Sequence, residues 1–412
     1  MTTPPLDIAR VRAAFPALSS GFLFADNAGG SQCLAAAVSR LSDYLLNTNV
    51  QLGADYAVSA HSTARVAEGE EAARELFNAE SAEEVAYGSS STMLVENLAR
   101  AMEADVQEGD EIIVTGEHES NAGPWKRLAA RRGAVIKLWS ATHIPGASPD
   151  NPYAVALQLD ALLPLLSPRT RLVAFTACSN ILGSLVPIAD IVRAVRNTTH
   201  ALGARKTEFC VDCVAYAPHR RIDVRAWDVE YCYFSMYKVY GPHCAVLYAR
   251  APALRDSLSS LAHHFLDVPD KPYKLQPGGP GYELVYACAA VPPYLRLLAP
   301  SGTLADAFDA IARHEQTLLE PLLAFLRGKA GRGVRIVGEE EAGIRRVPTI
   351  SFVVAGERPI GIRYGHFYAY TLVDTLEPKL DVEDGVVRIS LVHYNTVEEV
   401  RRIIGVLEEV LA

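Results

Sequence analysis

No run in the 412-residue chain is long and apolar enough to span a bilayer. The first residues, Met1-Thr2-Thr3-Pro4-Pro5-Leu6-Asp7, lack the basic and apolar regions of a secretion signal. A soluble, cytoplasmic protein is the expectation. Basic runs are missing too, and the net charge is -9, which removes nucleic acid and anionic membrane from the expected partners. The seven cysteines are odd in number and scattered, so they do not read as a disulfide framework. Cys210 and Cys213 have the spacing of a redox pair, but Glu208-Phe209-Cys210-Val211-Asp212-Cys213-Val214 reads as a buried strand and its exit. In a strand the two thiols point to opposite faces and serve as small core residues. No His, Cys and Asp cluster has metal-ligand spacing, and no metal is expected. Internal repeats and low-complexity tracts are also absent.

What the chain does have is apolar material: half of its residues are hydrophobic, enough for a large core and two or three domains. Between about residues 70 and 250, helical and strand patterns alternate. Ala64 to Ala79 is amphipathic and rich in Ala and Glu, Glu111 to Thr115 and Arg171 to Thr176 are short β-branched runs, and Ala189 to Val195 is helical again. This alternation predicts an α/β fold with a mostly parallel sheet and a ligand site at the strand C-terminal ends. The Gly/Pro-rich segment Gln276 to Gly281 interrupts the pattern. Beyond it a helical stretch from about 283 to 330 is followed by strands near Ile350 to Val354 and Val386 to Leu391, then an amphipathic helix from Val397 to Leu411. The predicted division is a large α/β domain over 22–290 and a small α+β domain made of 1–21 and 291–412.

Several strand ends carry groups with chemical potential. Lys238 closes the apolar run Tyr233-Phe234-Ser235-Met236-Tyr237 and precedes the turn Gly241-Pro242, so its ammonium is held where burial can act on it. A partly desolvated lysine is the nucleophile that carbonyl chemistry and a pyridoxal phosphate Schiff base require; a surface lysine after a strand is the plain alternative. Asp212 ends the run Phe209-Cys210-Val211, where a carboxylate can pair with a pyridinium nitrogen, or simply cap a turn. Asn180 follows another strand and suits either a ring hydroxyl or a turn. His118 offers a flat face for stacking, or a satisfied loop position. Tyr87-Gly88-Ser89-Ser90-Ser91-Thr92-Met93 leads a strand into a helix from Leu94 to Met102, and its small residues would let backbone N–H groups approach a phosphate. Any serine-rich helix cap looks similar.

Taken in order, these pieces resemble the cysteine desulfurase branch of the class V aminotransferases, pyridoxal phosphate enzymes of fold type I. The resemblance runs through Phe24-Ala25-Asp26-Asn27-Ala28-Gly29-Gly30, Glu117-His118 with Asn121 and Pro124-Trp125, and Thr176-Ala177-Cys178-Ser179-Asn180-Ile181-Leu182-Gly183. It continues through Val211-Asp212, Ser235 to Pro242, Arg388-Ile389-Ser390 and Tyr394-Asn395-Thr396. It implies a large domain with a mostly parallel sheet, a smaller C-terminal domain and a homodimer. It also implies Lys238 as the Schiff-base lysine, Asp212 at the pyridine nitrogen, His118 on the ring and Asn180 at the ring oxygen. Ser91, Thr92, Met93 and Ser235 would hold the phosphate. Arg388 would clamp the substrate carboxylate, with Asn27, Ala28 and Gly29 beside the substrate.

Four positions depart from the family pattern. Tyr237 replaces a phosphate-binding histidine, while Ala215 replaces a glutamine near the ring. Gly279 stands where a neighbouring subunit would lend a threonine, leaving a backbone N–H at most. Most consequential, Arg363-Tyr364-Gly365-His366-Phe367-Tyr368-Ala369 places Tyr368 where a desulfurase carries its nucleophilic cysteine. A phenol cannot accept sulfur as a persulfide. The resemblance, minus that cysteine, implies a carbon–sulfur lyase acting by β-elimination on an S-substituted cysteine or cysteine sulfoxide, with Lys238 moving the α-proton and Tyr368, His366 or solvent as the acid. Transamination, epimerisation, desulfuration with an unusual sulfur acceptor, and a binding protein with lapsed catalysis are the alternatives.

Overall fold

The computed structural model describes residues 5–266, 268–354 and 364–411. Seven short apolar runs form its main sheet: Val85–Gly88 (β1), Glu111–Thr115 (β2), Val135–Trp139 (β3), Thr170–Thr176 (β4), Glu208–Asp212 (β5), Tyr231–Ser235 (β6) and Ala245–Ala249 (β7). Their spatial order is β1-β7-β6-β5-β4-β2-β3. Strands β2 to β6 are parallel, whereas β7 runs antiparallel to both β6 and β1, which leaves β1 pointing with the parallel set. Six strands therefore end at one edge.

Every residue of β2, β4, β5, β6 and β7 is buried, as expected of a sheet covered by helices on both faces. Alternate residues feed two cores: Phe209, Val211, Cys232 and Phe234 pack on one side, Cys210, Tyr231 and Tyr233 on the other. Cys213 joins the first core and Cys210 the second, so the apparent redox pair is divided by the sheet.

Local chemistry moves some expected boundaries. The helix expected from Ala64 begins earlier, spanning Ala57–Phe77. Its first turns contain poor helix formers, but Ser59 donates to the Gln51 carbonyl at 2.7 Å and Ser62 shares a 2.5 Å hydrogen bond with Tyr44, so tertiary bonds outweigh propensity. The stretch from 283 to 330 is three helices, Tyr282–Cys288, Val291–Arg296 and Leu304–Gly328. Pro292 and Pro293 lack the N–H to continue a helix, and Thr303 caps the third by accepting from Asp306 N at 3.2 Å.

A second sheet combines Val334–Val337 (β8), Thr349–Val354 (β9), Tyr364–Gly365 (β10) and Val386–Ser390 (β11) in the antiparallel order β8-β9-β11-β10. The helices Leu304–Gly328 and Val397–Val410 cover it, with Leu318, Leu322, Val400 and Leu407 packed in one core with Ile350, Phe352 and Ile389. Asp26 bridges to Ser390, tying the N-terminal stretch to β11. Among the described residues no helix is long and apolar enough to cross a membrane.

Candidate active site

The strand ends converge on one cavity, lined among others by Ser91, Thr92, His118, Asn180, Asp212, Ser235 and Lys238. Two larger hollows also open on the surface; one of them, mostly apolar, is lined by Asp26, Asn27 and Arg388, so these anticipated substrate residues do not line the strand-end cavity itself. Lys238 ends a short 3₁₀ turn, Met236–Lys238, directly after β6, and is 7% exposed. The N–H groups of Val239 and Gly241 both bond the Met236 carbonyl, which fixes the backbone that carries it.

Asp212 terminates β5. Burial raises its pKa, against which work the Val214 N–H, 2.9 Å from Oδ1, and the charge of Lys238. His118 caps the helix Glu119–Arg132, its Nδ1 facing Ser120 N at 3.2 Å and Ser120 Oγ at 2.7 Å. Burial first, then the Lys238 charge, lower its pKa to about 4, so at neutral pH it presents an uncharged flat ring. At the end of β1, Ser90 caps the helix Ser91–Ala101 and accepts from Met93 N, while Ser91 Oγ lies 2.6 Å from Ser235 Oγ. Gly88 is needed there, because a Cβ would sit 2.7 Å from the Leu94 side chain.

This set fits pyridoxal phosphate. A buried lysine stands over the sheet edge, a carboxylate lies at the end of the central strand, and hydroxyls converge at a helix N-terminus whose first N–H groups suit a phosphate. Tyr237 lines the same cavity and stacks on His243, with ring centroids 4.9 Å apart.

The remaining anticipated residues divide. Arg388, on β11, is buried; it pairs with Asp26 at 2.8 Å, donates to the Asn180 carbonyl at 3.2 Å, and lies 3.8 Å above the Phe367 ring. Asn180 in turn donates to the Phe367 carbonyl at 3.0 Å. Tyr368 does not line the cavity; 67% exposed, it stacks on His118 with centroids 5.4 Å apart. His366 accepts from Tyr368 N at 3.1 Å. Phe367 and Tyr368 are both left-handed, at φ 48° and 63°, a conformation disfavoured for bulky residues and held here by these contacts and by Glu119 N on the Tyr368 carbonyl. Arg363 lies outside the described residues.

Other anticipated contacts are engaged elsewhere. Asn27 is buried, its Nδ2 bonding the carbonyls of Phe24 and Ser390 and its Oδ1 accepting from Tyr394. Ala28 N bonds Ser390 Oγ and Gly29 N the Asp26 carbonyl. Met93 is half exposed, and with Gly279 it lines a separate hollow beside His243. The contacts to Ser390 and Tyr394 join residues hundreds of positions apart, and motif spacing carries no signal for them.

Two cavity neighbours were not anticipated. Cys178 lines the cavity, yet burial pushes its thiol far up and away from thiolate. Glu117 is buried beneath the site, and Ser179 Oγ donates to its Oε2 at 2.6 Å. Burial and then the neighbouring Asp212 charge lift its pKa to about 7, against the Ser179 hydrogen bond. Both buried carboxyls are thus shifted upward, Asp212 against the pull of Lys238 and a backbone N–H, and Glu117 to about 7. The adjacent Gly183 has φ 67°, and a Cβ there would lie 2.2 Å from the Thr349 carbonyl. Gly183→Ala is therefore expected to cost about 1–3 kcal/mol, read as a lowered Tm; an unchanged Tm would contradict the crowding.

Comparison with known proteins agrees with this geometry. The aminotransferase class-V family model matches residues 23–403. The chain is 41% identical over 429 residues to the aminotransferase-like protein FGM3 of Gibberella zeae, with all of both chains covered. It is 32% identical to the cysteine desulfurase-like protein ustD of Aspergillus flavus, over 98% of this chain and 91% of that one. A cysteine desulfurase structure from Thermococcus onnurineus NA1 shares the fold at TM-score 0.81 and 22% identity, covering 100% of this chain and 99% of the other. With a strand-end cavity built for a carbonyl cofactor and a family match across nearly its whole length, the chain belongs to the class V aminotransferases, as a cysteine desulfurase-like enzyme dependent on pyridoxal phosphate.

Proposed function

We propose that this enzyme is a carbon–sulfur lyase that cleaves an S-substituted L-cysteine or its sulfoxide by β-elimination. The observation that carries this reading is the loop 366–368, which turns a phenol, not a thiol, toward His118. The cavity's own thiol, Cys178, supports it further, because a buried protonated sulfur is a poor acceptor of sulfur. When bound, the cofactor supplies an electron sink conjugated to the substrate Cα.

The side chains then divide the work. Lys238 binds the cofactor and takes the proton from Cα. Asp212 would pair with the pyridine nitrogen, and His118, a neutral imidazole, would lie against the ring. Ser91, Thr92, Ser235 and Tyr237 would hold the phosphate, the Met93 N–H being given to the Ser90 cap, and Asn180, whose amide donates to the Phe367 carbonyl, would lie beside the ring oxygen. Arg388 would hold the α-carboxylate, while the turn at Asn27–Gly29 braces β11 through Ser390. As the Cβ–S bond breaks, its electron pair leaves with sulfur, and Tyr368 or His366 supplies the proton. The released enamine takes up one water and becomes pyruvate and ammonia, alongside a thiol or sulfenic acid.

Cytoplasmic residence is part of this reading, supported by cysteines that are all free. So is a homodimer, supported by exposed Val38, Leu45, Leu46, Tyr56 and Val58. A light-scattering mass of one chain would overturn it.

Incubation with a panel of cysteine conjugates and sulfoxides is expected to release pyruvate and ammonia in equal amounts, and Tyr368→Phe to slow release about tenfold or more. Alanine with an enzyme-bound persulfide would overturn the lyase reading. An unchanged Tyr368→Phe rate would assign the acid to His366 or solvent. Transamination is the second reading, favoured by the aminotransferase-like relative; keto acid formed only when an amino acceptor is present would establish it.

A further inference from the structure

Glu117 takes no part in the chemistry above, yet it is 2% exposed in a region where a carboxyl is costly to bury. Its one hydrogen bond among the described residues is with Ser179, which donates to Oε2 at 2.6 Å. Ser179 Oγ also accepts from Leu182 N at 2.9 Å and Ile181 N at 3.3 Å. One hydroxyl thus joins Glu117 to both N–H groups of the turn that follows it. That turn is closed by Gly183 N on the Ser179 carbonyl at 3.1 Å. It carries Asn180, whose amide bonds Phe367 and whose carbonyl receives Arg388. Ser351, paired with Arg388 across β9 and β11, donates to the Ile181 carbonyl at 2.7 Å. The substrate-side arginine, the ring-side asparagine and the aromatic loop all rest on the turn that Glu117 anchors.

We propose that Glu117 is a positioning residue: by accepting the Ser179 hydroxyl it fixes the 179–183 turn, and through that turn it sets Asn180 and Arg388 for amino-acid binding. Two details favour this over a role in packing alone. An apolar side chain of similar size would fill the same space without the desolvation that a carboxyl incurs. The contact also survives titration, since a carboxyl accepts from a hydroxyl whether or not it carries a proton. The charged and titratable groups that face it are Asp212, at the end of β5, and the Cys178 thiol. The inference rests on the reading of this cavity as the pyridoxal phosphate and amino-acid site, but not on which reaction follows.

The test uses purified holoenzyme and reads the change in visible absorbance of the bound cofactor as L-alanine is added, so no turnover is required. Glu117→Ala is expected to raise the half-saturating L-alanine concentration about tenfold and Ser179→Ala at least as much, since it also removes the acceptor of two turn N–H groups; the double variant should go no further than Ser179→Ala, because Glu117 acts only through that hydroxyl. Glu117→Gln still offers an oxygen to Ser179 and is expected to stay within about twofold of wild type. Single variants that both bind like wild type would overturn the inference, as would effects that multiply in the double variant. A Glu117→Gln loss as large as that of Glu117→Ala would also overturn it, by assigning the effect to charge. Should Glu117→Ala fail to fold, Ser179→Ala against Glu117→Gln decides between the same outcomes. A wild-type protein that binds pyridoxal phosphate without responding to amino acids would instead overturn the site reading, and this inference with it.

Discussion

Lys238→Ala is expected to lose the visible absorbance of lysine-bound pyridoxal phosphate and to lower pyruvate release by roughly 10⁴-fold, the upper range for removing a positioned proton carrier. The argument rests on access and geometry. Among the residues lining the cavity, Lys238 is the one primary amine, and it stands at the end of β6 with its backbone held by two hydrogen bonds to Met236. Lys238→Arg keeps the charge but cannot form the Schiff base, so it should fail equally. Unfolding at the wild-type Tm would show that both variants still fold. A Lys238→Ala protein that keeps the absorbance, or more than a tenth of the activity, would remove the lysine from its proposed role.

Arg388→Ala should raise KM about 100-fold while leaving bound cofactor nearly unchanged, because losing a buried charged contact to a carboxylate costs about 3 kcal/mol. The guanidinium lies on β11, a strand of the second sheet, and bonds the Asn180 carbonyl beside the cavity, so the residues proposed to hold the cofactor on the main sheet should survive its loss. Its stacking on Phe367 at 3.8 Å orients the planar group, and Asp26 and the Asn180 carbonyl take two of its donors. Arg388→Lys keeps the charge without the fork or the stack and should recover little of the loss. Kinetics with a cysteine conjugate, alongside absorbance of the bound cofactor, would separate the two effects. An unchanged KM would place the substrate carboxylate elsewhere.

The path of the backbone could be read from residues alone; much of the wiring could not. Short β-branched runs between helical segments, each followed by a polar group, led to His118, Asn180, Asp212 and Lys238, and all four line one cavity. Periodicity decides which strands are buried, and parallel strands bring their ends to one edge, so that result follows from local pattern. Asn27 shows the limit. Its motif suggested a place beside the substrate, but its amide is taken up by Phe24, Ser390 and Tyr394. Glu117 shows the reverse, since it stood next to a singled-out histidine with nothing nearby to reveal that Ser179, sixty-two residues on, would be its partner. The strand β10 escaped notice because two residues are too few to show alternation.

The aromatic loop at 366–368 bears on how such an enzyme could be retooled. It hangs from β10 at the edge of the second sheet, while the residues proposed to hold the cofactor hang from the main one. Two left-handed bulky residues mean that neighbours, more than intrinsic preference, hold its shape. Exchanging a few residues there would alter what meets the reacting bond and leave the cofactor scaffold as it is. On the proposed reading, choice of reaction and capacity for reaction would be separable traits in this protein, open to independent change by design or by drift.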